Sequence, residues 1–190
     1  MIKEAIKKLV AGNDLTFDEA AQVMDEMFSG TATQSQMAAY LTALRIKGET
    51  IDEITASAQV MREKALHIKP NRDVLDIVGT GGDGTGTFNI STTAAFIIAA
   101  AGIPVAKHGN RSMSSKSGSA DCLEQLGINI NITPEKSEEV LNKAGICFMF
   151  AQGYHSSMKY VGPVRKEIGT RNIFNVLGPL TNPAGADLQV

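Results

Sequence analysis

The sequence lacks the features of a membrane-spanning or disulfide-stabilised protein. Its 190 residues include no tryptophan, only two cysteines and only six prolines. The longest apolar run, 94–101, is far below the roughly 18 residues that a spanning helix needs. Cys122 and Cys147 lack the spacing of a metal site, so we expect them to be reduced thiols. The charged, amphipathic N-terminus does not read as a signal peptide, and a cytoplasmic location is therefore expected.

A strong net charge of either sign is also missing. Lysine and arginine total 18 and aspartate and glutamate total 20, which gives a formal net charge of −2. This balance excludes a general electrostatic attraction to nucleic acid or to an anionic membrane, and neither is an expected partner. The hydrophobic share of 43% is typical of a soluble globular protein. Any site for an anion must therefore be local.

The N-terminal third carries only helical patterns. Apolar residues in 2–10 recur at the i, i+3, i+4 spacing of an amphipathic helix. Three capping boxes then predict three more helices. The paired residues are Thr16 with Glu19, Thr33 with Gln36, and Thr50 with Glu53. These helices predict a small helical domain over 1–69, with apolar surface left for a partner.

From Pro70 onward, strand patterns alternate with helical ones. This alternation is typical of a parallel α/β sheet, whose ligands bind beyond the carboxyl ends of the strands. The predicted strands are 74–78, 103–106, 129–132 and 146–150, with helices over 91–101, 120–126 and 134–144.

The end of the chain extends both predicted domains. The helical pattern returns after Tyr154, so about 157–177 is expected to join the helical domain in space. Residues 70–156 and 178–190 are then the α/β domain. Because 187–190 look like the opening of another strand, we expect a fragment whose α/β domain is incomplete at the C-terminus.

Glycine is concentrated in the loop 79–87, between the first predicted strand and its helix. The N–H groups of such a loop, together with the helix dipole, favour an anion. Three of its glycines match the dinucleotide-binding pattern, but the ribose-binding acid that should follow is missing, and no Walker sequence occurs. A flexible turn is the alternative for the loop, and simple helix capping is the alternative for Asn89 and Thr92.

Positive charge is concentrated in the second loop, 107–119. It carries five serines and three permanent cations, which are Lys107, Arg111 and Lys116, and its first acidic neighbour is Asp121. Because parallel strands end at one edge of the sheet, the two loops should face each other there. Together they predict a polyphosphate site, although a solvated basic loop is the alternative.

Seven motifs follow one another along the chain. They are Gly79-Thr80-Gly81-Gly82-Asp83, Asn89-Ile90-Ser91-Thr92, Lys107-His108-Gly109-Asn110-Arg111-Ser112, Gly118-Ser119-Ala120-Asp121, Ala151-Gln152-Gly153-Tyr154-His155, Pro163-Val164-Arg165 and Asn175-Val176-Leu177-Gly178-Pro179-Leu180-Thr181-Asn182-Pro183. In this order they resemble the anthranilate phosphoribosyltransferase family over essentially the whole chain. The resemblance implies a fold of the nucleoside phosphorylase/phosphoribosyltransferase type.

The resemblance also implies a reaction and its ligands. Phosphoribose would pass from phosphoribosyl pyrophosphate (PRPP) to the amino group of anthranilate in tryptophan biosynthesis, with Mg²⁺ as cofactor and pyrophosphate as leaving group. The implied donor-binding residues are Gly79, Gly82, Asp83, Thr87, Asn89, Ile90, Ser91, Thr92, Lys107, His108, Gly109, Asn110, Arg111, Ser112, Met113, Ser114, Ser115 and Ser119.

Three residues are implied for anthranilate and one for the metal. Gly79, Asn110 and Arg165 would contact anthranilate, and a guanidinium suits its carboxylate. His108 and His155 are candidates for the same channel, with a structural hydrogen-bonding role as the alternative for each. Ser91 would approach Mg²⁺.

The implied chemistry is displacement at the anomeric carbon through an oxocarbenium-like transition state. No carboxylate pair or nucleophile with a base is evident, so Lys107 and Arg111 would act electrostatically on the departing pyrophosphate. The family's acidic pair for Mg²⁺ has no match in this chain, so the fragment is expected to be impaired in metal binding and in activity. The family also forms homodimers through its helical domain.

Two other functions fit part of the pattern. A pyrimidine nucleoside phosphorylase shares the fold and a glycine-rich loop, but would bind inorganic phosphate and a nucleoside. A non-catalytic dimerisation and ligand-binding module would bind the donor without turnover.

Overall fold

The computed structural model describes residues 1–81, 86–112 and 117–190. The chain folds into two compact units, each made of two segments of the sequence. Residues 1–64 and 156–181 form the first unit, which we call the helical unit. Residues 65–155 and 182–190 form the second, which we call the sheet unit.

The helical unit is built around one hydrophobic core. Buried side chains from its helices meet there, and Val23, Met24 and Tyr40 are fully enclosed. All three predicted capping boxes are present, each with the threonine hydroxyl accepting from the N3 backbone N–H. The helices are α1 (Ile2–Val10), α2 (Phe17–Phe28), α3 (Gln34–Lys47), α4 (Ile51–Glu63), α9 (Met158–Ile168) and α10 (Phe174–Leu180).

Within the described part of the sheet unit, four parallel strands lie in the order β3-β2-β1-β4. The strands are β1 (Leu75–Asp76), β2 (Val105–Gly109), β3 (Ile146–Phe150) and β4 (Leu188–Gln189). The helices that accompany them are α5 (Ile90–Ala100), α6 (Ser119–Gln125), α7 (Pro134–Ala144) and α8 (Ala151–Tyr154). The predicted fold class, a helical domain with a parallel-sheet α/β domain, is confirmed.

The second strand differs from its prediction in position and length. It starts at Val105 and continues through Gly109, so Lys107 and His108 belong to the strand instead of the loop. The reason is pairing with β3, in which Lys107 lies opposite Phe148 and Gly109 opposite Phe150. This part of the strand is not recognisable in the sequence because its residues are of polar types. Their side chains are buried only through tertiary contacts.

The strand predicted at 129–132 is wrong. Asn129 Oδ1 accepts the N–H of Asn131 at 3.0 Å, which forms a local turn in place of a strand ladder. Ile130 still points inward and packs with Leu123 and Phe150. The alternation of apolar residues in the sequence therefore reflected a loop with one buried side chain, that of Ile130.

Cys122 and Cys147 are both free thiols, as their spacing predicted. Among the described residues, no helix is long and apolar enough to cross a membrane.

Candidate functional site

The two predicted loops leave the sheet at the carboxyl ends of β1 and β2. After β1, Gly79 and Gly81 reach the surface, and Gly81 has a positive φ of 67° that suits glycine. Asn110 directly follows β2. Five of the predicted donor residues lie outside the described residues: Gly82, Asp83, Met113, Ser114 and Ser115.

Two hydrogen bonds join segments that flank the two loops. Lys107 Nζ donates to the carbonyl oxygen of Ile77, two residues before Gly79. Asn89 Nδ2 donates to Ser117 Oγ at 3.4 Å, which joins the start of α5 to the second loop. The residues that flank the two loops are therefore neighbours at this edge of the sheet.

Lys107 is a buried cation at the base of both loops. The residue is only 4% exposed, and burial lowers the pKa of its ammonium group to about 8, although the carboxylate of Asp76 partly offsets this effect. A lysine in such an environment holds its charge at a high desolvation cost. An anion nearby would relieve this cost, so the position suits a phosphate ligand.

Asp76 lies beneath the same loops and is fully buried. Its Oδ1 accepts the backbone N–H of His108 at 3.1 Å. Burial raises the pKa of this carboxyl, while hydrogen bonds from Asn182 and from the His108 backbone oppose the rise. Asn182 also donates to the carbonyl oxygen of Ala106 at 2.9 Å and so secures β2 from the other side.

The first turn of α5 offers backbone N–H groups to a ligand. Asn89, the N-cap residue, makes no side-chain cap hydrogen bond in the described structure. Thr92 is buried, Ser91 is half-buried, and Thr87 and Ile90 are exposed. A helix start of this kind, next to a glycine-rich loop, favours an anion.

The described side chains at this edge do not form a complete set of metal ligands. Within residues 1–81, 86–112 and 117–190, no group of three His, Cys, Asp or Glu side chains could hold a metal ion. Mg²⁺ prefers oxygen ligands and is often held through substrate phosphates and water. The half-buried Ser91 at this helix start fits such a metal as one hydroxyl ligand beside bound phosphates.

The second loop is closed by acidic residues of α6. Asp121 Oδ2 accepts the backbone N–H groups of Gly118 and Ser112 at 2.8 and 3.1 Å, and these bonds lower the pKa of the carboxyl. Arg111 Nη1 donates to Asp121 Oδ1 at 3.0 Å, and the guanidinium also forms a two-pronged pair with Glu124. The charge of Arg111 is therefore already compensated, which its sequence neighbours did not predict.

The remaining predicted residues of β2 and its loop lie close together. The rings of His108 and His155 have centroids 5.1 Å apart, and both residues are buried. At Gly109, an added Cβ would lie 2.7 Å from the ring of Phe148, so a larger residue would not fit. Ser119 Oγ donates to the carbonyl oxygen of Asn110 at 3.2 Å.

Arg165 belongs to the helical unit, on α9. Its guanidinium carbon lies 5.2 Å from the centroid of the Phe174 ring. Nε is buried and has no hydrogen-bond partner among the described residues, and burial lowers the pKa of the side chain. A partly desolvated guanidinium with donors to spare is suited to a carboxylate ligand.

Sequence reasoning gave no role to Asp76, Asn182 or Asp121. Asp121 carried a detectable signal, because an acid three residues after the N-cap Gly118 can accept its N–H. Asp76 and Asn182 carried none, since their partners are distant in the sequence.

The comparisons with known proteins agree with this architecture. Residues 3–65 match the helical bundle domain of the glycosyl transferase family, and residues 71–190 match its a/b domain. The anthranilate phosphoribosyltransferase of Ruminiclostridium cellulolyticum is 60% identical over 190 residues, which are 100% of this chain and 56% of the relative. The chain thus spans little more than half the length of this relative.

Two solved structures show the same fold. The anthranilate phosphoribosyltransferase of Thermus thermophilus has a TM-score of 0.91 at 49% identity, over 98% of this chain and 57% of that one. The Saccharomyces cerevisiae enzyme in complex with PRPP and Mg has a TM-score of 0.87 at 28% identity, over 96% and 55%. The resemblance seen in the motifs is confirmed.

Because family models cover both units, the chain belongs to the glycosyl transferase family whose members join a helical bundle domain to an a/b domain.

Proposed function

We propose that the protein containing this chain is an anthranilate phosphoribosyltransferase. It transfers phosphoribose from PRPP to the amino group of anthranilate, forming phosphoribosylanthranilate and pyrophosphate in tryptophan biosynthesis. The observation that carries the proposal is Lys107, a 4% exposed cation at the base of two loops at one sheet edge. The anthranilate phosphoribosyltransferases that the chain resembles, one of them solved with PRPP and Mg, support the choice of substrates.

The donor site in this proposal lies at the carboxyl ends of β1 and β2. Lys107 supplies the charge, and the first turn of α5 supplies N–H groups. Arg111 contributes a smaller electrostatic share, because Asp121 and Glu124 already neutralise it. When Mg²⁺ is bound, it neutralises part of the pyrophosphate charge, with Ser91 offering a hydroxyl oxygen.

The proposed anthranilate contacts are Arg165, Gly79 and Asn110. Arg165 binds the anthranilate carboxylate, and its buried, unpartnered Nε supports this role. Gly79 and Asn110 lie at the ends of the donor loops, where they can contact the amine that attacks. His108 and His155 line the acceptor channel in the sheet unit.

Rate acceleration in this proposal comes from positioning and electrostatics. As the bond between ribose and pyrophosphate weakens, positive charge develops on the sugar and negative charge on the leaving group. Lys107 stabilises the leaving group, while Asn110 positions the attacking amine. We also propose a cytoplasmic homodimer that forms through the helical unit.

Loss of anthranilate fluorescence tests the reaction directly. The 190-residue chain is mixed with PRPP, Mg²⁺ and anthranilate, and PRPP binding is measured separately by calorimetry. We expect turnover to be slow, because the chain has no match to the family's acidic pair for Mg²⁺. Arg165→Ala should raise the KM for anthranilate while PRPP binding stays close to wild type. Lys107→Met should instead weaken PRPP binding.

Three results would contradict the proposal in different ways. PRPP binding without turnover would identify a ligand-binding module. Phosphorolysis of thymidine or uridine would identify a nucleoside phosphorylase. A chain that neither binds PRPP nor consumes anthranilate would have no such donor site.

A further inference from the structure

Asp121 is bonded to both ends of the second loop. Its Oδ2 accepts the N–H of Ser112, at the start of the loop, at 3.1 Å, and that of Gly118, at its end, at 2.8 Å. Its Oδ1 accepts from Arg111 Nη1 at 3.0 Å. One carboxylate thus accepts three hydrogen bonds from residues that enter and leave the loop.

The two ends of the loop are also packed tightly against each other. A Cβ added at Gly118 would lie 2.7 Å from the carbonyl carbon of Arg111 and 2.8 Å from the carbonyl oxygen of Asn110. The same Asn110 oxygen accepts from Ser119 Oγ at 3.2 Å and from the N–H of Ala120 at 3.3 Å. Backbone lies against backbone here, so the loop ends have little freedom while Asp121 holds them.

Glu124 provides a natural comparison for Asp121. Both acids belong to α6, both are about one-third exposed, and both bind Arg111. Among the residues that the structure describes, Asp121 also accepts backbone N–H groups of the loop and Glu124 does not. The contacts to the loop backbone are therefore specific to Asp121 and separate from the ion pair.

We propose that Asp121 is a positioning residue that holds the ends of the second loop in the conformation that binds the pyrophosphate of the donor. The inference rests on the proposed function for the identity of the ligand. Asp121 directs Oδ2 at the loop backbone and Oδ1 at the Arg111 guanidinium, so both oxygens are occupied by bonds within the protein. Without it, the ends would have to be ordered during binding, which lowers affinity.

The test compares Asp121→Ala with Glu124→Ala. Each variant removes one carboxylate from Arg111 and one negative charge, but only Asp121→Ala removes the acceptor for Ser112 and Gly118. PRPP binding in the presence of Mg²⁺ is measured by calorimetry. We expect Kd to rise about tenfold or more in Asp121→Ala and less than about threefold in Glu124→Ala.

Asp121→Asn separates loop positioning from charge. Its side-chain oxygen can still accept the two N–H groups, so we expect it to restore most of the lost affinity. Thermal unfolding of all three variants shows that each remains folded. Equal Kd values for Asp121→Ala and Glu124→Ala, or an Asp121→Asn variant as weak as Asp121→Ala, would overturn the proposal.

Amide NMR resonances of the ligand-free chain give a readout that does not depend on PRPP. We expect the Ser112 and Gly118 resonances to shift in Asp121→Ala and to stay near their wild-type positions in Glu124→Ala. Unchanged resonances in Asp121→Ala would refute the positioning role even if the donor binds. A wild-type chain that fails to bind PRPP, with these resonances shifted as expected, would refute the proposed function and leave the loop-holding role supported.

Discussion

Replacement of Lys107 by methionine should stabilise the fold while it weakens donor binding. Burial lowers the pKa of this lysine from 10.5 to about 8. Charging the amine therefore costs about 3 kcal/mol more in the folded protein than in the unfolded chain. Methionine has a similar length and no charge, so we expect the free energy of unfolding at pH 7 to increase by up to this amount.

The sign of the pH dependence follows from the same shift. Between about pH 8 and 10.5 the unfolded chain keeps its proton on Lys107 while the folded protein has lost it. The contribution of Lys107 to the free energy of unfolding of the wild type therefore increases as the pH rises through that window. The advantage of Lys107→Met should be complete below pH 8 and should shrink towards zero near pH 10.5.

The effect on Asp76 needs a control, because Lys107→Met removes a positive charge that partly offsets the effect of burial on the pKa of the Asp76 carboxyl. The matched pair is Asp76→Asn and the double variant Asp76→Asn/Lys107→Met. Urea denaturation at about pH 7 and about pH 10 gives the stabilities, and taking differences cancels the other titrating groups. Calorimetry with PRPP should show a Kd raised at least about tenfold by the loss of the cation.

Three results would refute parts of the reasoning about Lys107. If the double variant is less stable than Asp76→Asn at neutral pH, the buried ammonium does not carry the inferred desolvation cost. If the stability difference grows with pH, the pKa of Lys107 is raised instead of lowered. Unchanged PRPP binding would remove Lys107 from the donor site.

Three further substitutions test other parts of the structure. Glu53→Gln removes a fully buried carboxylate that pairs with Lys47. It should lower the free energy of unfolding, measured by urea denaturation, by about 2 kcal/mol. An unchanged denaturation midpoint would contradict this. Asn182→Ala leaves the Ala106 carbonyl without its 2.9 Å donor and should cost about 1–3 kcal/mol in the same assay, whereas a neutral effect would mean that water replaces the amide. Gly118→Ala puts a Cβ 2.8 Å from a backbone oxygen and should abolish PRPP binding in calorimetry, and wild-type affinity would show that the loop ends can separate.

The capping boxes of the helical unit show how much local sequence determines. Each threonine and its partner three residues later lie within one helical turn, so the bonds that start α2, α3 and α4 involve no distant residue. The alternation of strands and helices is similarly local, and it predicted β3 from Ile146 to Phe150. The two candidate anion-binding loops were recognisable for the same reason, since their glycines, serines and cations are close together in the sequence.

The electrostatic character of those loops depended on distant residues. The sequence presents Lys107 and Arg111 as two equivalent cations of one basic loop. In the structure, Lys107 lies in β2 and is buried, while Arg111 is exposed and paired with Asp121 and Glu124. Nothing within a few residues of either side chain distinguishes them.

The sequence by itself therefore determined the capped helices, the alternation of strands and helices, the position of the two loops and the family to which their motifs point. Tertiary structure decided that β2 reaches Gly109, that 129–132 is a loop, and that Asp76 and Asp121 hold the candidate site. The physical reason is the distance along the sequence over which each interaction acts. Capping and periodicity act within a turn or a strand, whereas burial, strand pairing and charge compensation arise only when segments far apart in the chain come into contact.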